Sequence, residues 1–245
     1  MKKSFLSFSL IFALAITSFQ PVFAADPINI GLSKFKKEDR DVKNFNGVAS
    51  GGPIDVIITL GNTEGLRFEG DAEAISTLIT EVVSNKLVIR PKNSWTSWAK
   101  KYENKKITAY VSAKTLKSLT MSGNGSMLVK GKIQENSLAA TLSGSGSITA
   151  SVDVNSFVGT ISGSGKLNFS GAADEASVTI SGSGSLTKKD FSVDTMVAVV
   201  SGSGSIYVTA ENQINAVISG SGTINYSGNP EVEQRVVGSG KVRKI

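Results

Sequence analysis

The sequence predicts an all-β chain wound as a parallel β-helix, a solenoid, and three observations carry that reading. A Ser-Gly-x-Gly unit begins at Ser122, Ser143, Ser162, Ser181, Ser201 and Ser219, with a degenerate seventh copy at Val237, at intervals of 18–21 residues. A fixed period of this size marks stacked repeats. Immediately before the units stand Met121, Leu142, Ile161, Ile180, Val200, Ile218 and Val236, and two residues after each closing glycine stand Met127, Ile148, Leu167, Leu186, Ile206, Ile224 and Val242. A flexible linker has no reason to keep two apolar columns in register. The flanks, with Thr141, Thr149, Thr160, Val178, Tyr207 and Val217, favour β structure.

The elements follow in order. Lys2 and Lys3, the apolar run "FLSFSLIFALAI" and "PVFA" before "ADP" form the pattern of a secretory leader over residues 1–24, with Val22 and Ala24 suited to the cleavage site. The remaining chain, 25–245, is expected to be one exported domain with no transmembrane segment after cleavage. Residues 28–121 read as irregular first coils and a cap. "VASGGPIDVIITLG", "GLRFEG", "KLVIRP", "KITAYV" and "KSLTMSG" read as strands. Between them, Ile75, Leu78, Ile79 and Val82 have the spacing of a short amphipathic helix, with Asp71 as its N-cap.

Residues 122–245 form the repeat coils. Each is a short strand, the Gly/Ser segment, a second strand and then a polar loop such as "SVDVNSF" or "AENQ". One repeat cannot bury its own apolar face, but copies stacked about 4.8 Å apart can. The Gly/Ser segment itself is either a flat strand presenting serine hydroxyls, as an ice- or crystal-binding face would need, or a tight bend. Asn124 in the middle of the first unit favours the bend, because Asn beside Gly suits positive φ. The closing "KVRKI" places charge against edge-to-edge aggregation.

"NFNGVASGGPIDVIITLG", the helix followed by "NKLVIRP", and the serial "SGSG" units together resemble the head GIN domain family, described for auto-transporter adhesins of Gram-negative bacteria, over residues 40–245. The resemblance implies a right-handed β-helix of pectate-lyase-like architecture in an envelope-associated or secreted protein. It brings no catalytic residues with it.

Composition removes several chemistries. The formal charge is +6, and loss of Lys2 and Lys3 leaves +4, too mild a bias to point to nucleic acid. The chain has no cysteine, hence no disulfide and no lipid attached at the cleavage site. Absence of histidine excludes Ser-His-Asp catalysis and, with cysteine also missing, disfavours zinc. The Gly/Ser units lack the Gly-Lys-Ser/Thr ending of a phosphate loop and the aspartate of calcium-binding repeats. No cofactor and no metal are therefore expected.

Two candidate sites remain. Glu175 and Asp194 share offset 13 from their units, so they could face each other across neighbouring coils as a glycosidase-like pair, or be ordinary solvated turn carboxylates. "KNSWTSWAKKYENKK" holds Trp95, Trp98 and Tyr102 with Lys92, Lys100, Lys101, Lys105 and Lys106. Its aromatics either stack on sugar rings, or plug the solenoid while the lysines keep the segment soluble. Trp95, Trp98, Tyr102, Lys100 and Lys101 are the binding residues the sequence puts forward. The expected function is non-catalytic: an exported adhesin that recognises glycan or another cell-surface component, in the periplasm, on the outer surface or secreted. A polysaccharide-degrading enzyme and a structural envelope scaffold are the alternatives.

Overall fold

Glycine decides where this chain turns. The computed structural model describes residues 35–92, 95–101, 105–187 and 190–245, with side chains omitted at 95, 96 and 99. The expected leader, residues 1–24, lies outside the described residues. In every Ser-Gly-x-Gly unit the first glycine has positive φ, as at Gly163 (120°) and Gly182 (116°). A side chain is strained there, so the unit is a bend and the flat-strand alternative falls.

The second glycine has a different reason. A β-carbon on Gly184 would lie 2.9 Å from the Gly165 carbonyl oxygen of the coil below and 2.4 Å from Ile161 Cγ2. Close stacking, rather than φ, requires glycine at that position. The amides of each corner donate to carbonyls of the corner below, as Ser164 to Gly144 and Lys166 to Gly146, both at 3.0 Å.

The strands, in chain order, are β1 (Phe35–Arg40), β2 (Gly47–Gly51), β3 (Asp55–Leu60) and β4 (Gly65–Asp71), then helix α1 (Ala72–Ser76), β5 (Leu78–Val83) and β6 (Lys86–Pro91). Helix α2 (Trp95–Lys101) precedes β7 (Ile107–Ala113), β8 (Ser118–Gly123), β9 (Ser126–Gly144), β10 (Ser147–Gly163), β11 (Lys166–Gly182) and β12 (Ser185–Leu186). The last are β13 (Phe191–Gly202), β14 (Ser205–Gly220), β15 (Thr223–Gly228), β16 (Glu231–Gly238) and β17 (Lys241–Lys244). From β8 onward all pairing is parallel, coil on coil, which makes the body a parallel β-solenoid.

Both apolar columns stack as the repeat requires. Met121, Leu142, Ile161, Ile180, Val200 and Ile218 are Cα partners in sequence, and so are Met127, Ile148, Leu167, Leu186, Ile206 and Ile224. All are buried. Within a coil, inward and outward positions alternate, as a strand with one buried face demands. The alternation slips once: Val154 and Phe157 both point inward, with Asn155 and Ser156 between them. The segments expected as polar loops, "SVDVNSF" and "AENQ", are therefore strand: the first changes parity at Asn155-Ser156, whereas the second keeps it, with Glu211 and Asn212 exposed between buried Ala210 and Ile214. Packing inside uses size complementarity. The rings of Phe157, Phe169 and Phe191 cluster at 4.7–6.5 Å, and Gly159 leaves room beside the Phe157 ring.

The first part of the chain doubles back. The β2–β3 coil lies between β6–β7 on one side and β8–β9 on the other, parallel to both. Its corner, Gly51-Gly52-Pro53-Ile54, sits in the same stack as the Ser-Gly-x-Gly units: Gly51 opposes Ser122, and Gly52 has φ of 88°. Beyond, β4 runs antiparallel to β7 and β1 antiparallel to β4, while β5 runs antiparallel to β6.

The predicted helix is real but shorter than its spacing suggested. Asp71 caps it, accepting from the Ala74 amide at 3.0 Å, but α1 ends at Ser76 and Leu78–Val83 is strand β5. Leu78, Ile79 and Val82 thus leave the helical face predicted for them. The reason is the hairpin that follows: Ser84 and Asn85, both at positive φ, form a two-residue turn that folds the β-branched run "ITEVV" onto β6.

Candidate functional site

One coil lacks the short corner. Between Ser50 and Asp55 the β2–β3 coil spends four residues, whereas between their partners Ile89 and Thr108 the β6–β7 coil spends eighteen. The excursion spans α2 and the Trp/Lys segment singled out above.

The parts of the segment separate. Trp98 is turned inward, 5 % exposed, and its indole N–H donates to Thr77 Oγ1 at 2.7 Å. At that burial little of the ring is left for a ligand to stack on, a placement that suits the plug of the two alternatives. The physical cause is the apolar end of the first coils, where Ala74, Ile75 and Leu78 also sit buried. Trp95 opens α2, but its side chain and all of Tyr102 lie outside the described residues. Lys100 and Lys101 are exposed on α2, and Lys101 pairs with Glu73 at 2.8 Å. Lys105, at the return to β7, pairs at 3.0 Å with Asp71, the residue that caps α1.

Those last contacts open onto a surface that the sequence reading did not single out. The outer faces of β1, β4 and β7 form one antiparallel sheet in which Asp39 opposes Arg67 and Arg67 opposes Tyr110. Two hollows adjoin along it, sharing Glu69 and Tyr110. One, of about 500 Å³, is lined also by Asp39, Arg67 and Ser112, and the other, of about 480 Å³, also by Phe35, Asp71, Lys105 and Thr108. Tyr110 is 39 % exposed between them.

The charges along this groove are paired side by side. Arg67 Nε lies 2.8 Å from Asp39 Oδ1, and Lys37 Nζ lies 3.0 Å from Glu69 Oε1. The Asp39 hydrogen bond, then its charge, raise the pKa of the Arg67 guanidinium above its ordinary value. The Arg67–Asp39 pair is exposed and Glu69 half-buried beside exposed Lys37, so the pairs add little to stability. What they create is a partly exposed aromatic ring bordered by alternating donors and acceptors. That combination suits a ligand with an apolar face and polar edges, such as a sugar ring. Only the alternation "ITAYVSA" hinted at it, by making Tyr110 outward-facing on a strand.

Glu175 and Asp194 do not face each other. Glu175 opposes Thr195, because register is set by the distance to the following Ser-Gly unit and the extra residue of the longer repeat is absorbed earlier. Counting forward from the preceding unit gave the wrong partner, and the expected carboxylate pair is lost. Among the described residues no group of three His, Cys, Asp or Glu side chains is placed to hold a metal ion.

Solved structures of the same shape exist at low identity. A "putative adhesin" from Bacteroides fragilis superposes with a TM-score of 0.78 at 21 % identity, covering 86 % of this chain and 97 % of that one. A "putative lipid binding protein" from Parabacteroides distasonis gives 0.66 at 22 %, covering 86 % and 96 %, and a "putative adhesin" from Parabacteroides merdae gives 0.67 at 20 %, covering 87 % and 97 %. At such identity the likeness establishes the fold alone. No protein of curated function matches the chain. The family model described as "Putative auto-transporter adhesin, head GIN domain" matches residues 44–230, more than half of the sequence, and the chain therefore belongs to the head GIN domain family.

Proposed function

We propose that this chain is an exported, non-catalytic binding protein of the cell envelope that holds glycan in the Tyr110 groove. The observation that carries the reading is the exposed ring of Tyr110 between two adjoining hollows whose walls alternate acid and base. Adhesin is the description given to the family and to two of the similar structures, and a leader over residues 1–24 would export the chain. The enzymatic alternative loses its candidate acid pair, since Glu175 and Asp194 are out of register. Lys105 and Lys106, at the base of the Trp/Lys excursion, line the second hollow and would meet polar or acidic groups on the ligand.

A glycan array probed with the wild type and with Tyr110→Ala tests this. Signals on one glycan class that fall at least about tenfold in the variant support it. A blank array, or one that the variant leaves unchanged, removes it. Labelling of surface-exposed protein on intact cells separates the two locations: label on intact cells places the groove outside, and label only after lysis confines the partner to the periplasm.

A further inference from the structure

The strands that lead into the glycine corners carry a second surface. Between Ser137 and Ser219 their outward positions form a grid of four columns across five coils, and the pairing runs through it without a register shift. One column is Thr141, Thr160, Thr179, Val199 and Val217, and the next is Ser143, Ser162, Ser181, Ser201 and Ser219. Of the twenty positions one, Glu175, is charged. By contrast, the outward positions of the strands that leave the corners include Asp55, Lys130 and Lys166.

Irregularity is confined elsewhere. The register shifts lie between Thr149 and Ser151 and between Val193 and Thr195, both before the grid begins in their coils. Spacings of about 4.8 Å between coils and about 6.6 Å between alternate residues make the grid roughly 400 Å². Val158, Val197 and Val217 stand 42–46 % exposed on it. A shallow groove of about 300 Å³ crosses the coils at one side, with Met196 in its lining and Glu175, Thr195, Gln213, Val197 and Asn215 along it.

We infer that this face binds a neutral, extended polysaccharide lying across the coils. Within these five coils the lack of charge, Glu175 apart, fits an uncharged ligand; the grid ends at the next coil, where Glu231, Glu233 and Arg235 stand in register with Gln213, Asn215 and Val217. Repetition of hydroxyls and β-branched methyls along the Thr141–Val217 and Ser143–Ser219 columns fits a ligand with its own repeat, each unit meeting a similar patch, so that weak contacts multiply. A second copy of this chain is the poorer occupant, because a grid of this size would bury about 800 Å² in total, below the roughly 1,200 Å² of a stable pair. The inference is independent of the Tyr110 groove, which lies on other strands.

Retention on insoluble polymers tests it, using microcrystalline cellulose, chitin and insoluble β-1,3-glucan as neutral probes. The variants are Ser177→Arg and Val197→Arg, both at exposed positions, with Lys166→Ala as a control outside the grid. Circular dichroism checks that each is folded. Retention of the wild type and of the control on at least one polymer is expected, unchanged between about 0.1 and 1 M salt. A loss of about tenfold or more is expected in each Arg variant. Three outcomes overturn the inference: retention on none of the polymers, retention that survives both substitutions, or a dimer by sedimentation that the same substitutions dissociate. Soluble oligosaccharide binding lost in Tyr110→Ala reports on the other groove and leaves this result standing.

Discussion

Ile161 and Gly184 are twenty-three positions apart in sequence, yet the Cγ2 of Ile161 lies 2.4 Å from where a β-carbon of Gly184 would stand. The same relation joins Ile180 to Gly204 at 2.6 Å and Val200 to Gly222 at 2.5 Å. Each apolar residue before a corner thus packs under the second glycine of the next coil. The two features that make the repeat visible, the apolar column and the glycine, are halves of one contact.

Substitution within a single corner should separate the two glycines from the serine between them. Gly182→Ala meets both positive φ and the Gly163 carbonyl oxygen at 2.6 Å, and Gly184→Ala meets Ile161. Each is expected to cost about 1–3 kcal/mol, from strain and overpacking. Exposed Ser183→Ala should stay within about 0.5 kcal/mol. Urea unfolding midpoints of the three variants measure this.

Phe157→Ala removes the ring that touches both Phe169 and Phe191 in a fully buried position. The expected loss is about 3–5 kcal/mol, the range for a large aromatic leaving a cavity. Gly159→Val, by contrast, should be destabilising through crowding, since its β-carbon would lie 3.1 Å from the Phe157 ring. Combined with Phe157→Leu, the Gly159→Val cost should shrink, and a double-mutant cycle reads that coupling.

Stability near the first coils should depend on acid through Glu64. Burial raises its pKa, but the amides of Asn44 and Phe45, donating at 3.3 and 3.2 Å, and Lys114 at 3.6 Å outweigh that and hold it below 4.5. A carboxylate with a lowered folded pKa contributes fully above its unfolded value and loses the contribution as pH falls through the folded one. The melting temperature of the wild type should therefore exceed that of Glu64→Gln at pH 6, and the gap should close as pH drops below about 4.5.

The solenoid was legible because Met121 to Val236 and Met127 to Val242 repeat with the glycines, and periodicity needs no tertiary information. What tertiary pairing decides was not. The corner at Gly51–Ile54 lacks a Ser-Gly-x-Gly spelling, and it joins the stack only because β2 pairs with β8, seventy-one residues on. Glu175 and Asp194 seemed aligned until the following unit, not the preceding one, set register. At Leu78–Val83, helical spacing yielded to the Ser84-Asn85 turn. Trp98 carried a binding residue's composition but a core residue's place, and Tyr110 the reverse.

That exchange between Trp98 and Tyr110 is the centre of the functional account, and one titration tests it. Calorimetry with the best soluble oligosaccharide from the array would compare the wild type, Tyr110→Ala and Trp98→Phe. Tyr110→Ala is expected to bind at least about tenfold more weakly with its melting temperature nearly unchanged. Trp98→Phe, which loses the bond to Thr77, is expected to be less stable by about 1 kcal/mol and to bind like the wild type. Full affinity in Tyr110→Ala together with lost affinity in a folded Trp98→Phe would contradict the account.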